Sequence, residues 1–520
     1  MRFEASKKLR FMLGLPLLFL AIAGSHAFAG ANNATDAAFT NPPLYADFPD
    51  PDIIRVGDDF YFATTTFANP PGLTILHSQD LVGWEIVSHV IPRLEGRAEY
   101  DLKNGGDYRR GVFAPSLRYH DGTFYVVTTP VNQNTRVYFS KDIRGPWQFN
   151  ELDRPAFDPG FFIETNGTGY IATSGGWDGT VTLLTLNSNY SRIVDARKIH
   201  YNQGAEGSKL VKRGEWYYLF NSVPSHLALT CSRATNLFGV WETIPQIDDH
   251  TGGHQGAIVD LPDGRAYGFV MKDCGAVGRM TFISPIFWTN GWPVWGTPDA
   301  PGKVPAVAPK PMAGKPLLRP ASSDDFSAPT LGLPWQWNHN PDNTRWSLTE
   351  RPGFLRLKPT AATNFWLARN TLTQKGWGPT STAEVKLDVS RLKPGDVCGF
   401  GTLGKVNGHI AVNGGADGKN FLSMNVLVDA GASETRVASV PISSTNIFLR
   451  TALDFVRNQG LCSYSEDGQT WTALGGEFDL KFDWRTGTFQ GEQLAIFCFN
   501  PQPGDGFVDV DWFKLQTSRD

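Results

Sequence analysis

Asp121-Gly122-Thr123-Phe124-Tyr125-Val126-Val127 reads as a tight turn running into a strand of aromatic and β-branched residues. Asp and Gly accept the backbone that a short turn needs, and Phe, Tyr and Val fit a pleated, half-buried surface. The same reading recurs at Asp58-Asp59-Phe60-Tyr61-Phe62-Ala63, Asn166-Gly167-Thr168-Gly169-Tyr170-Ile171, Arg213-Gly214-Glu215-Trp216-Tyr217-Tyr218-Leu219 and Pro262-Asp263-Gly264-Arg265-Ala266-Tyr267. A second element keeps step with it: Ser78-Gln79-Asp80-Leu81 leading to Trp84, Ser140-Lys141-Asp142-Ile143 leading to Trp147, and a looser Ser232-Arg233 leading to Trp241. Units recurring roughly every 45–65 residues indicate an array of blades. Five of them predict an all-β fold whose first domain, 40–297, is a five-bladed β-propeller. An irregular β-sandwich is the alternative.

The composition then changes. Pro298, Pro301, Pro305, Pro309, Pro311, Pro316 and Pro320 mark 298–322 as a stiff, extended linker. Strand-like alternation returns in Trp335-Gln336-Trp337, Phe354-Leu355-Arg356-Leu357, Thr382-Ala383-Glu384-Val385-Lys386-Leu387 and Phe507-Val508-Asp509-Val510-Asp511-Trp512-Phe513, so 323–520 is predicted to be a β-sandwich. A stiff linker and apolar strands predict a sandwich packed on the propeller as a wall of its site rather than a detachable module.

At the other end, Lys7, Lys8 and Arg10 precede an apolar stretch over 11–23, and Ala27-Phe28-Ala29 follows it. The stretch is short for a membrane span, and the pattern predicts a signal peptide over 1–29 with cleavage near Ala29. That implies a secreted or periplasmic protein without a membrane partner; an uncleaved anchor is the alternative. A net charge of −4 on 520 residues with no basic run argues against nucleic acid as a partner. Cys231, Cys274, Cys398, Cys462 and Cys498 are odd in number and form no CxxC pair, which argues against a zinc site and a dense disulfide framework. They read as small core residues, with Cys462 and Cys498 a possible pair.

Three carboxylates sit in apolar, Pro- or Gly-flanked contexts where charge is costly: Asp50 in Pro49-Asp50-Pro51, Asp158 in Phe157-Asp158-Pro159 and Glu206 in Ala205-Glu206-Gly207. Hydrolysis of a glycosidic bond needs one ionised carboxylate to activate water and one protonated carboxyl to release the leaving group. Asp50, held on a rigid turn by its prolines, suits a general base. Glu206, partly buried among small residues, suits a general acid. Asp158 lies between aromatics, where desolvation would raise its own pKa or that of a neighbour. Asp47, Asp52 and Glu215 read instead as turn or surface acids. Arg279, in Gly278-Arg279-Met280, is a candidate for bonding sugar hydroxyls or holding a carboxylate. His254, in Gly252-Gly253-His254-Gln255-Gly256, reads as structural.

Taken together, Phe48-Pro49-Asp50-Pro51-Asp52, Gly111-Val112-Phe113-Ala114-Pro115-Ser116-Leu117, Phe157-Asp158-Pro159 and Glu206-Gly207-Ser208 resemble glycoside hydrolase family 43. Asp324-Asp325-Phe326, Trp335-Gln336-Trp337-Asn338-His339-Asn340 and Ala368-Arg369-Asn370-Thr371-Leu372 resemble the β-sandwich carried by its xylosidase-like branch. The resemblance implies a five-bladed propeller acting with inversion, and an exo-acting enzyme that releases terminal β-D-xylosyl or α-L-arabinofuranosyl units from plant cell-wall oligosaccharides. It matches Asp50 to the general base, Glu206 to the general acid, and Asp158 to the acid that orients the donor and tunes its pKa. Arg279 matches a substrate-binding arginine. His254 matches a histidine near the propeller axis, where a calcium or sodium ion is held largely through water in several members. Phe113 stands where the family usually has Trp, which keeps the aromatic wall but leaves sugar preference open. The chemistry itself implies no required cofactor. A retaining fructan-type hydrolase and a non-catalytic carbohydrate-binding propeller are the competing readings.

Overall fold

Antiparallel sheets of four, four, four, four and five strands follow one another along the first part of the chain, each built from consecutive strands. The computed structural model describes residues 37–108, 110–175, 178–248, 253–428, 433–482 and 489–519. The expected signal peptide, 1–29, lies outside the described residues.

The first blade runs Asp52–Val56, Asp59–Thr64, Gly72–Ser78, Glu85–Ile91, and the innermost strands of the next four are Ser116–His120, Gly160–Ile163, Glu206–Arg213 and His254–Asp260. Each innermost strand touches the next, and the fifth touches the first, so the ring is closed. The five turn-plus-strand repeats are the turns that lead from each innermost strand into the second strand, such as Thr123–Thr128 and Trp216–Val223. The Ser-to-Trp repeats join the third strand to the fourth. In the first of them the Ser78 hydroxyl accepts the N–H groups of Asp80 and Leu81, and Asp80 Oδ1 accepts those of Val82 and Gly83 at 2.8 and 2.7 Å. The turn thus satisfies its own backbone, and Trp84 drops into the core behind it.

The ends of the propeller are tied together. Ala38–Thr40 pairs with Val307–Pro309, and the Asn41 amide donates to the carbonyls of Ile283 and Pro305. The Pro-rich stretch beyond is strapped along the blades: Tyr267 donates to the Pro309 carbonyl, Arg265 to that of Pro311, and the Trp84 N–H to that of Leu318.

The C-terminal part is a sandwich of two eight-stranded sheets. Its core, centred on Phe400, Ile410, Leu449, Ile496 and Phe513, continues without a break onto Ala276, Val277 and Met280 of the fifth blade. Trp377 of the sandwich in turn packs into the propeller core. Polar contacts fix the alignment: Asn69 donates to Gln493 at 2.8 Å, and the N–H groups of Trp337 and Asn340 donate to the carbonyls of Pro70 and Tyr100 at 2.7 Å each. All five cysteines are free thiols. Cys462 and Cys498 stand on strands of opposite sheets, so that possible pairing is not formed.

Candidate active site

At the head of every innermost strand the backbone takes a left-handed turn: Asp50 has φ 52°, Ala114 38°, Asp158 43°, Gly207 58° and Gln255 49°. For the non-glycine residues this costs on the order of 1–3 kcal/mol each, a strain that surrounding structure must hold. The prolines beside Asp50 and Asp158 therefore restrict a backbone that is already unusual. The kink recurs in equivalent places, and Asp50, Asp158, Glu206 and Gln255 together line one cavity of about 310 Å3. Gly207 is glycine for a second reason: a Cβ there would meet the Gln255 amide at 2.4 Å.

Asp50 is buried. Its Oδ2 accepts the Thr65 hydroxyl at 2.7 Å, and its Oδ1 faces Arg279 Nη1 at 3.4 Å. Asp158 Oδ2 accepts the Gln255 side-chain amide at 2.9 Å. Burial, and then the Asp50 charge, push the Asp158 carboxyl up to about 7. Burial, then the charges of Asp158 and Asp50, push the Glu206 carboxyl up to about 8 against the opposing pull of Arg279. Each carboxyl opposes ionisation of the other, and both are driven toward the protonated form. Arg279 supplies the opposing charge. Its guanidinium lies 5.2 Å from the Phe67 ring centre and 5.7 Å from that of Phe489, and its buried Nε has no hydrogen-bond partner among the described residues.

Aromatic rings close the cavity. Phe67, Phe113 and Phe157 come from the propeller, and Phe482 and Phe489 from the sandwich. Phe67 packs on Phe113 at 5.5 Å and on Phe489 at 5.7 Å between ring centres. The sandwich is therefore a wall of the pocket. A larger groove of about 1340 Å3 on the second and third blades shares Phe113, Phe157 and Asp158 with the pocket.

All six residues singled out from the sequence, Asp50, Phe113, Asp158, Glu206, His254 and Arg279, line this one cavity. Two flanking acids are not turn or surface residues as expected. Asp52 is buried on a strand, and its Oδ2 accepts the Ser116 hydroxyl at 2.8 Å, the Leu117 N–H at 2.9 Å and Arg118 Nη1 at 2.9 Å, which pins the first blade to the second. Asp47 is also buried, as its bonds to Arg279 and Gly491 show. Both find partners far along the chain, which local context does not reveal. Glu215 is exposed, as expected. Thr65, Phe67, Gln255 and Phe489 were not anticipated. Gln255 sits beside His254 in a Gly-rich motif that drew attention to the histidine alone.

His254 Nε2 lies 3.5 Å from Asp273 Oδ1, and its buried Nδ1 has no hydrogen-bond partner among the described residues. A hard cation takes about six to eight oxygen ligands, and no three His, Cys or acidic side chains converge on one point among the described residues. An ion met at His254 would therefore take its remaining oxygens from backbone, amide or water rather than from a cluster of acids.

The profile of Glycosyl hydrolases family 43 matches residues 39–293, and that of the Beta xylosidase C-terminal Concanavalin A-like domain matches 323–516. The chain is 31% identical to a beta-xylosidase of Formosa agariphila, over 92% of this chain and 90% of that protein. The chain belongs to glycoside hydrolase family 43. It is also 32% identical to the Non-reducing end alpha-L-arabinofuranosidase BoGH43B of Bacteroides ovatus, over 62% of this chain and 65% of that one. Among solved structures it superposes with a TM-score of 0.85 and 33% identity on a bifunctional GH43-CE protein of Bacteroides eggerthii, covering 92% of this chain but 63% of that longer one.

Proposed function

We propose that this family 43 member is an exo-acting, inverting glycoside hydrolase. It releases terminal pentose units, β-D-xylosyl or α-L-arabinofuranosyl, from plant cell-wall oligo- or polysaccharides such as xylan, arabinan or xyloglucan. The observation that carries this reading is the convergence of Asp50, Asp158 and Glu206 on one small cavity whose far wall is Phe489 of the sandwich. A volume of about 310 Å3 is near the lower end for small-molecule sites. A pocket of that size, closed on the sandwich side, suits the end of a chain, and the adjoining groove suits the remainder of the substrate.

In this reading Asp50 is the general base. It takes a proton from a water whose oxygen attacks the anomeric carbon, while Glu206 gives its proton to the departing glycosidic oxygen on the other face. The bond to the new oxygen forms as the old one breaks, so the configuration inverts. Burial keeps Glu206 protonated, and Asp158, once it ionises at about 7, adds its charge to hold that proton. Arg279 and His254 bind sugar hydroxyls, and Phe113 lies against the ring. No cofactor takes part; a calcium or sodium ion met through water at His254 would support the fold around the axis. The basic and apolar N-terminus and the substrate both suit a secreted or periplasmic enzyme.

The test is hydrolysis of p-nitrophenyl β-D-xyloside and p-nitrophenyl α-L-arabinofuranoside by the purified protein, with NMR of the first anomer released. Inverted pentose supports the reading. A retained anomer points to the fructan-type mechanism, and no turnover of either glycoside to a binding propeller.

A further inference from the structure

Asp47 does not line the pocket, and no step above uses it. Yet three segments that build the pocket meet on its side chain. Its Oδ1 accepts the backbone N–H of Arg279 at 2.7 Å, and its Oδ2 accepts that of Gly491 at 3.1 Å. Its own segment runs on through Phe48, whose N–H donates to the Arg279 carbonyl at 3.1 Å, to Asp50. Gly491 follows Phe489 and Gln490 in the sandwich, and the Gln490 amide donates to the Thr66 carbonyl at 3.2 Å, next to Thr65 and Phe67.

The contact has no slack. A Cβ on Gly278 would meet Asp47 Oδ1 at 2.4 Å, and one on Gly491 would meet the Val277 carbonyl oxygen at 2.1 Å. Glycine on both sides lets backbone N–H groups close directly on the carboxylate. The side chain is 5% exposed as part of its residue. Burial pushes the Asp47 carboxyl up, and Lys375 of the sandwich, whose ammonium lies 4.9 Å from the Phe48 ring centre, with Arg279 and the two backbone N–H groups, pulls it back toward the anion. An ionised carboxylate offers two acceptor oxygens and no donor, and hydrogen bonds to it are stronger than neutral ones. Asparagine keeps the shape but turns one acceptor into an NH2 that would oppose an N–H.

We infer that Asp47 is a positioning residue for the sugar subsite: its two carboxylate oxygens set the spacing between the Asp50 loop, Arg279 of the fifth blade and Phe489 of the sandwich. The inference rests on the pentosidase reading of that site.

The test is a double-mutant cycle. kcat and KM are measured on the better of the two p-nitrophenyl pentosides for the wild-type enzyme, Asp47→Asn, Phe489→Ala and the double variant, with thermal unfolding of each. Asp47→Asn is expected to raise KM roughly 10-fold or more, with kcat falling less. In the Phe489→Ala background the same substitution is expected to cost markedly less, because both act through one contact. Gly278→Ala, which presses on the same carboxylate with Asp47 intact, is expected to raise KM likewise. Additive losses, or a KM for Asp47→Asn within about two-fold of wild type, overturn the inference. Loss of cooperative unfolding in Asp47→Asn also overturns it, since the carboxylate would then serve folding. A wild-type enzyme inactive on both pentosides refutes instead the proposed function on which it rests.

Discussion

The side-chain amide of Gln255 donates to Oδ2 of Asp158 at 2.9 Å, so an acid on the third blade is held by a residue on the fifth. The amide also packs against Gly207, the residue after Glu206. One side chain therefore fixes Asp158 relative to Glu206. Gln255→Leu removes the donor that favours the Asp158 anion. It is expected to lower kcat/KM roughly 10-fold, without loss of cooperative unfolding.

The pH dependence has a defined direction. Glu206 acts as an acid only while protonated, and burial with its acidic neighbours holds it up to about 8. Activity is therefore expected to fall as pH rises through about 8. Asp158→Asn removes one of the charges that raise Glu206, so the alkaline limb of the kcat/KM profile moves to lower pH, by on the order of 1 unit. A profile that keeps its alkaline limb would leave Asp158 with no tuning role.

The same groups tie stability to pH. Asp158 at about 7 and Glu206 at about 8 keep protons in the folded state that an unfolded chain gives up near ~4. Over that window the unfolded state binds fewer protons, so stability falls as pH rises from about 4 toward 8 and levels off above. Asp158→Asn with Glu206→Gln is expected to flatten this part of the curve. Melting temperatures of both proteins across the window check it.

Loss of the acid has a substrate signature. Glu206→Ala is expected to cost least on aryl pentosides with acidic leaving groups and most on xylobiose or arabinobiose, whose leaving oxygen needs the proton. Asp50→Ala is expected to lose activity on all of them. Equal losses for good and poor leaving groups in Glu206→Ala would remove it as the acid.

The sandwich wall is separable from the carboxylates. A protein ending near Ser322 keeps Asp50, Asp158 and Glu206 but loses Phe482 and Phe489 from the pocket and bares the apolar patch of Ala276, Val277 and Met280. It is expected to be poorly soluble or inactive on short xylosides. Full activity in that fragment would reduce the sandwich to an accessory.

The blades were legible because their signals are local. A turn such as Asp121-Gly122 before Thr123–Thr128, or the Ser78 and Asp80 turn before Trp84, carries its own backbone chemistry within a few residues. Asp50, Asp158 and Glu206 were legible for the opposite reason, as charges in places that local chemistry disfavours. Asp47 and Asp52, which flank Asp50, read as turn or surface acids, because Arg279, Gly491 and Arg118 complete them only in three dimensions. Phe489 carries no mark of its own: nothing near it in the sequence distinguishes a pocket aromatic from the many that fill the core.

Gln490 bonds to Thr66 across 424 residues of chain, and that distance orders events during synthesis. All three pocket acids leave the ribosome while the segment that encloses them is still untranslated. The pocket is thus complete only late, when the strands that carry Phe482 and Phe489 dock, and a product cut short by premature termination is born without that wall.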